Sequence, residues 1–488
     1  RKKFASYREK QFKKGEKTMK RSNKKGFTIV ELVIVIAIIA ILAAVLIPTF
    51  ASLIQKANTS ADIQACRQMN TYLAVNEVTA DKTIVEVYEA LNAGGMDAED
   101  YKPLSSNTYY FWDAKLNRVL YTNDSYEVIY PEEYKDVKST DADHQWYSLT
   151  TEIKEEEYNP TTDADGTVKI TVKTGGELYK AVKDLAKNGT VEHGGVTFKQ
   201  NITSNTVIEL NNDIDMMGAS LSIGVVKENV KFTIDGKSHK ITGISNLEAA
   251  AYNLKMNVEN KPRNYNSGLI ARVLDGSNVT FKDITFENTV VGRNDIGSSA
   301  FLIGYATGNG TKVTFENVAI VNSTLYGKNK LGALIGAQCN GGVETIVKGD
   351  KTKFENVKII CTEGESGILF GSTSNSDGTK VNEKVKIDKT LIEKDDFIKN
   401  CSVTCTSSNT KEAKPGEGFN MTYDKKIVKK IDGNDYRVGT AYYGFVLAST
   451  SYPETSSKYN PINDYDQAVA AGWVYDFTTN QAVTANGN

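Results

Sequence analysis

At 488 residues, 40% of them hydrophobic and 24% charged, the chain can hold more than one core, since a domain usually takes about 100 to 200 residues. Its formal charge of −2 hides an asymmetry: residues up to Lys25 hold 12 basic and 2 acidic side chains, leaving 46 basic against 58 acidic beyond them, a net charge near −12. That acidity argues against nucleic acid as the main partner, because phosphate contacts need clustered Lys and Arg.

The five cysteines, Cys66, Cys339, Cys361, Cys401 and Cys405, include no zinc-like CxxC pair. Free or buried thiols are the preferred reading, with a Cys401 to Cys405 disulfide as the alternative.

The chain opens on Arg1, and its first methionine is Met19, followed by the basic stretch MKRSNKKG. Residues 1–18 are expected to precede the true translation start, because Lys-Gly-Glu-Lys-Thr before Met19 is encodable by a purine-rich, ribosome-binding-like stretch. The leader ends at Gly26, and from Leu32 to Ile47 no residue carries a formal charge. The span 27–47 reaches roughly 30 Å as a helix, the thickness of one hydrocarbon core. Glu31 sits near its beginning, where an ionised group in lipid costs about 2.5–3.5 kcal/mol unless paired. A secretory signal would end its apolar run at a small-residue cleavage site, whereas Gly26 precedes the run, beside Lys24 and Lys25. Cleavage there leaves the helix on the product.

The series Lys24, Lys25, Gly26, Phe27, Glu31 and Pro48 resembles the type IV prepilin family and its relatives, the pseudopilins of type II secretion and competence. The resemblance implies cleavage between Gly26 and Phe27 by a prepilin peptidase and N-methylation of Phe27. It further implies that Glu31 pairs with the N-terminal amine of a neighbouring pilin subunit, which is the partner that a charge in an apolar setting needs.

Beyond Pro48 the helix is expected to continue, within 27–80, to about Ala74. Phe50, Ile54, Ala57, Ala61, Ala65, Met69 and Leu73 recur at helical spacing as the stripe that packs on a small domain. Pro48, lacking an N–H, is expected to mark a kink. Thr83-Ile84-Val85-Glu86 is a capping-box pattern that opens a second helix, stopped near Gly94-Gly95.

Runs at 109–112, 118–121 and 127–130, separated by turn residues, then predict an antiparallel meander. A small α/β domain over 81–149 follows from these elements, and a long helix with a small meander is the layout that the family resemblance implies. The aromatic residues around Trp112 and Trp146 read first as sheet core and second as a carbohydrate platform.

The acidic run 150–166 reads as a linker. After it, residues 175–185 form an amphipathic helix, expected to cap a stack of strands, with strands at 206–210 and 230–234. Two repeat series appear beyond these. Gly268-Leu-Ile-Ala-Arg272, Ala300-Phe-Leu-Ile-Gly304, Gly332-Ala-Leu-Ile-Gly336 and Gly367-Ile-Leu-Phe-Gly371 form one; Phe281-Lys-Asp-Ile, Phe315-Glu-Asn-Val and Phe354-Glu-Asn-Val form the other. Such a period signals stacked repeats. Short β-rich runs with Gly and Asn turns predict a parallel β-helix over 167–375, with Asp283, Asn317 and Asn356 as a ladder at one turn and a β-sandwich as the alternative. This part resembles right-handed β-helix domains of the pectate-lyase-like superfamily and surface proteins with Gly-Leu-rich repeats. Residues 376–488 are polar, with modest strand runs such as 442–447, and are expected to close the stack or form a small extra region.

The fold class expected is therefore α+β in the pilin-like N-terminal part, followed by a mostly-β domain. Catalysis is not expected: no paired carboxylates, calcium set, GxSxG elbow or phosphate loop stands out, and His144, His193 and His239 lie apart without ligand spacing. No catalytic residue, metal ligand or cofactor is assigned. The expectation is a minor or tip pilin subunit, single-pass in the membrane before assembly and part of an extracellular filament afterwards. Its large head would adhere to a glycan or surface protein. A secretion or competence pseudopilin is the alternative, and a surface-tethered polysaccharide enzyme the third reading.

Overall fold

The computed structural model describes residues 28–79, 82–96, 100–141, 143–185, 191–193, 196–198, 201–247, 266–292, 298–327, 330–339, 342–361, 368–372, 385–392, 394, 396–405, 419–424, 475–476 and 481–482. It is a long N-terminal helix followed by a mostly-β domain of many strands. Two compact units, residues 1–60 and 61–488, divide along the helix α1, Ile29–Val75. In the first unit the large apolar side chains of α1 between Ile29 and Ile54 are exposed, from 46% at Val35 to 81% at Ile29. The helix is continuous through Pro48.

In the second unit α1 buries Asp62, Cys66, Met69 and Leu73. This corrects the expected stripe: Met69 and Leu73 are in it and half-buried Ala65 packs against it, but Ala61 is exposed, as are Phe50, Ile54 and Ala57 of the first unit. The buried line instead runs through a carboxylate and a thiol, two side chains that hydrophobic periodicity passes over. Helix α2, Ile84–Ala93, begins with the expected capping box between Thr83 and Glu86 and stops at Gly94.

A four-stranded antiparallel sheet follows, with order β3-β2-β1-β4, from β1 Thr108–Asp113, β2 Arg118–Asn123, β3 Val128–Tyr130 and β4 Trp146–Ser148. Alternation along a strand sends neighbours to opposite faces. Tyr110, Trp112, Val119 and Tyr121 accordingly join Cys66, Met69 and Leu73 in one apolar cluster. Phe111, Leu120 and Trp146 join a second cluster, with the strands beyond residue 150. Trp112 and Trp146 are 1% and 0% exposed, so they form sheet core. Strand β4 was not anticipated. Buried Asp113 fixes it by accepting from the Trp146 indole N–H at 2.9 Å while also accepting from the backbone N–H groups of Lys115 and Leu116.

Residues 150–166 are tied into the fold instead of forming a free linker. Thr151 and Ile153 are buried, the Lys154 N–H donates to the Tyr126 hydroxyl at 2.9 Å, and β5, Pro160–Thr162, pairs antiparallel with β6, Val168–Val172. Helix α3, Gly175–Leu185, buries Leu178, Ala181 and Val182 in the same core.

From β6 onward most strands pair in parallel ladders, with Val191–His193 and Val196–Phe198 a separate antiparallel pair. The first runs through Val168–Val172, Thr206–Leu210, Lys231–Asp235, the first halves of Asn278–Glu287 and Lys312–Val321, Glu344–Lys348 and Val385–Ile387. A second and a third continue from its turns. A separate six-stranded sheet links Asn201–Ile202, Ile223–Val226, Ile270–Val273, Ile303–Thr307, Ile335–Cys339 and Phe370–Ser372. Like side chains stack along each ladder: Ile170, Ile208, Ile234, Phe281, Phe315 and Val347 form one buried apolar column. The Phe281 and Phe315 rings lie 5.7 Å apart and 13° from parallel. Three members of the Gly-Leu series keep their alignment, with Ile303, Ile335 and Phe370 in register, while the first is offset by one, Ile270 and not Ala271 lying opposite Ile303.

The Phe-Asn series does not. Phe354 is in register with Ile320 and Phe286, not with Phe315, so Asn356 belongs to a second turn. The first turn carries Asp283, Asn317 and Gly349, at φ 49°, 53° and 91°, with the Asn317 side-chain amide donating to Asp283 Oδ1 at 2.7 Å. The second carries Gly243, Asn288, Asn322, Asn356 and Asn400, at φ 71°, 49°, 49°, 54° and 51°. There each backbone N–H from Gly243 to Asn356 donates to the carbonyl just before its counterpart in the next layer, at 2.9 to 3.2 Å. Left-handed φ suits glycine, asparagine and aspartate, and both turns accept an inward apolar residue, an outward one and then such a residue. One tetrapeptide therefore satisfies either turn.

The ladders also move the expected boundary at 375, since Val385–Ile387 and Ile398–Cys405 extend them and Phe419–Asp424 adds an antiparallel edge. The run 442–447 and the terminal tail lie outside the described residues.

Candidate functional site

The first described residues form a closed set of hydrogen bonds at the start of α1. The side chains of Thr28 and Glu31 and their backbone amides form a reciprocal box at the start of α1. Glu31 Oε2 accepts from the Thr28 N–H at 2.8 Å and from its hydroxyl at 2.9 Å, and the Glu31 N–H donates to Thr28 Oγ1 at 3.2 Å. The free N–H groups of a first helical turn attract a carboxylate, so Glu31 is held where the helix itself welcomes negative charge. Thr28 was missed in the sequence, although Thr-x-x-Glu before an apolar run is the capping pattern also found at Thr83.

Of the residues singled out in the sequence, Lys24, Lys25, Gly26 and Phe27 lie outside the described residues. Glu31 and Pro48 are both in α1, Glu31 in its first turn. Among the described residues, α1 alone is long and apolar enough to cross a membrane, judged by length and composition, and none of its most apolar stretch is buried. Such a surface needs lipid or other apolar helices around it, because about 25 cal/mol is lost for each Å² of apolar surface left in water.

Asp62 was also missed. It is 2% exposed, and its carboxylate accepts from the N–H groups of Leu104 at 2.7 Å and Ser105 at 3.0 Å and from the Tyr121 hydroxyl at 3.0 Å. Its backbone carbonyl accepts from the Tyr110 hydroxyl at 3.0 Å. One residue of α1 thus pins a loop and two strands.

Two of the three histidines lie beside carboxylates, and the side chain of His193 is outside the described residues. His144 Nδ1 lies 2.5 Å from buried Asp113, and His239 Nδ1 lies 3.1 Å from Asp213. Asp235 pairs with Lys237 and Lys282 at 2.9 and 3.0 Å, and these hydrogen bonds hold its carboxyl below the usual range against the opposing effect of burial. Among the described residues no group of three or more His, Cys, Asp or Glu is placed to hold a metal ion.

No curated protein and no solved structure matches the chain. A family model described as the prokaryotic N-terminal methylation motif matches residues 21–47, the leader's end and the apolar half of α1. The motif implies processing by prepilin peptidase and assembly with other pilin subunits, and with the apolar helix it fits a membrane-anchored precursor. It indicates a precursor of the type IV pilin or pseudopilin kind.

Proposed function

We propose that this chain is a minor or tip subunit of a type IV pilus-like filament, cut between Gly26 and Phe27, and that its strand domain is a parallel β-helix displayed for adhesion. The observation that carries the reading is the methylation motif on a helix with an exposed apolar surface, which requires lipid before assembly and sister helices after it. The β-helix is supported by parallel ladders whose turn residues recur 32 to 45 positions apart, from Asp283 to Asn317 and Gly349 in one column and from Gly243 to Asn288, Asn322, Asn356 and Asn400 in the other; a β-sandwich would pair these strands antiparallel. A head of this bulk crowds a helical array of closely stacked subunits, which favours the tip over the shaft. Glu31 meets the neighbouring subunit's amine, and the head meets a glycan or a surface protein. The work is assembly and display, with no catalysis.

Sheared filaments should contain the chain lacking residues 1–26, and Glu31→Ala should remove it from them. Immunogold label on the head should sit at filament ends. Label along the whole shaft would refute the minor or tip role, and an unprocessed N-terminus in the filament would refute the subunit reading. The pseudopilin reading predicts instead that deletion blocks export of other proteins. Turnover of any glycan by the detergent-solubilised full chain would reopen the enzyme reading.

A further inference from the structure

The junction between the antiparallel sheet and the parallel ladders is built as a layer of the stack. Ordinarily two parts of a chain meet through a modest, polar contact and move against each other unless the contact is large and apolar. Here Phe111, Leu120, Val128 and Trp146 of the antiparallel sheet lie in the same apolar cluster as the columns of the stack. On the other face of that sheet, Leu247 and Val290 of the stack share a cluster with Cys66, Met69 and Leu73 of α1.

The polar contacts are as specific. The Ser148 N–H at the end of β4 donates to the Met217 carbonyl at 2.8 Å, a strand-like bond made to the stack. Gln145 reaches the second turn column: its Oε1 accepts from Asn288 Nδ2 at 3.2 Å and from the Thr242 hydroxyl at 3.3 Å. Two layers on, the Asn356 amide donates to Asn322 Oδ1 at 2.8 Å. Gln145 thus supplies to Asn288 the kind of acceptor that an asparagine supplies elsewhere in the column. Two glycines make room. A Cβ on Gly218, at φ 77°, would lie 2.5 Å from the Ser148 nitrogen, and one on Gly243 would lie 2.6 Å from Gln145 Nε2.

We infer that the antiparallel sheet is the first layer of the stack, so that residues from Asp62 through the described ladders fold and unfold as one unit, with no hinge at 150–166. The consequence for a filament subunit is mechanical. Force entering through the second half of α1 passes through Asp62 and the sheet directly into the stack, and the head keeps a fixed attitude to its own sheet. The inference holds whether the subunit sits at a tip or in a shaft.

Native-state hydrogen exchange on the full chain in detergent tests it, comparing peptides from 108–123 with peptides from 278–287 and 312–321. In the parent chain the slowest amides of all three should open with one shared free energy. Gln145→Ala should lower protection in all three by a common factor of about five to thirty, the effect of one or two lost hydrogen bonds. Gly218→Ala serves as the second variant, and the same common loss is expected where it folds. Lost protection in 108–123 with 278–321 unchanged would overturn the inference, as would no change anywhere with either variant.

Discussion

Replacing Asp62 by alanine tests whether one carboxylate fixes the second half of α1 to the sheet. The substitution removes three hydrogen bonds to an ionised acceptor, from Leu104 N–H, Ser105 N–H and the Tyr121 hydroxyl. Bonds to a charged group contribute about 1.5–3 kcal/mol each, and a stranded buried donor costs about 1–3 kcal/mol. The terms do not simply add. Leu104 is 65% exposed, so its loop can take up water, whereas Tyr121 is 0% exposed. The penalty therefore concentrates on the tyrosine, and a net loss of about 2–4 kcal/mol is expected. Denaturant unfolding of the full chain in detergent measures it, followed by tryptophan emission, since Trp112 and Trp146 report on both faces of the sheet. Pairing Asp62→Ala with Tyr121→Phe should give a coupling of at least about 1 kcal/mol. A loss below about 0.5 kcal/mol, or additivity within error, would refute the claim that this carboxylate is the pin.

Burial raises the Asp215 carboxyl above its ordinary value, against the opposing bonds from the Met217 N–H and Gln145. Stability from its protonated form is then full below the unfolded value of about 3.9 and is lost as pH rises through the folded value; Asp215→Asn should raise the melting temperature at pH 7, and the gain should vanish near pH 3. At Asn322, φ 49°, a β-branched residue is strained by about 1–3 kcal/mol, so Asn322→Val should lower stability clearly while Asn322→Gly changes it by less than about 1 kcal/mol. Burial pushes the thiols of Cys66 and Cys401 up to about 12, so iodoacetamide at pH 8 should label neither in the native chain and both after denaturation, as peptide mapping would show.

Local signals were legible and register was not. The box at Thr83 and Glu86 and the stop at Gly94 could be placed from four or five adjacent residues, because a helix end is satisfied by its own neighbours. The stack's apolar columns left a readable period. The tetrapeptide changed turns at Phe354: the first turn of that layer is Val347-Lys348-Gly349, opposite Phe315-Glu316-Asn317, and Phe354 lies at the second turn, opposite Ile320. Nothing local marks that change, since the inward Phe, outward Glu and left-handed Asn fit both turns equally. The linker reading failed for a related reason: acidic composition described most of 150–166, whereas its structure comes from buried Thr151 and Ile153, the Lys154 N–H bond to the Tyr126 hydroxyl and the pairing of Pro160–Thr162 with Val168–Val172.

Asp62 shows the limit from the opposite side. On a helix a lone carboxylate reads as a solvated position, and its partners lie 42, 43 and 59 residues away. Glu31 was conspicuous because it interrupts an apolar run, yet its first partner is three residues away, and that changes the physical argument. A bare carboxylate would make pairing with another subunit a necessity of the membrane; one already holding the Thr28 N–H and hydroxyl on Oε2 has paid part of its desolvation cost. In the filament proposed above, the neighbouring subunit's ammonium would have to add to these bonds or displace them, so the net gain on assembly would be smaller than the full value of a buried ion pair, whose attraction is itself offset by desolvation. A carboxylate satisfied only by that ammonium would be unpaired before assembly, whereas Glu31 already has the Thr28 N–H and hydroxyl as partners.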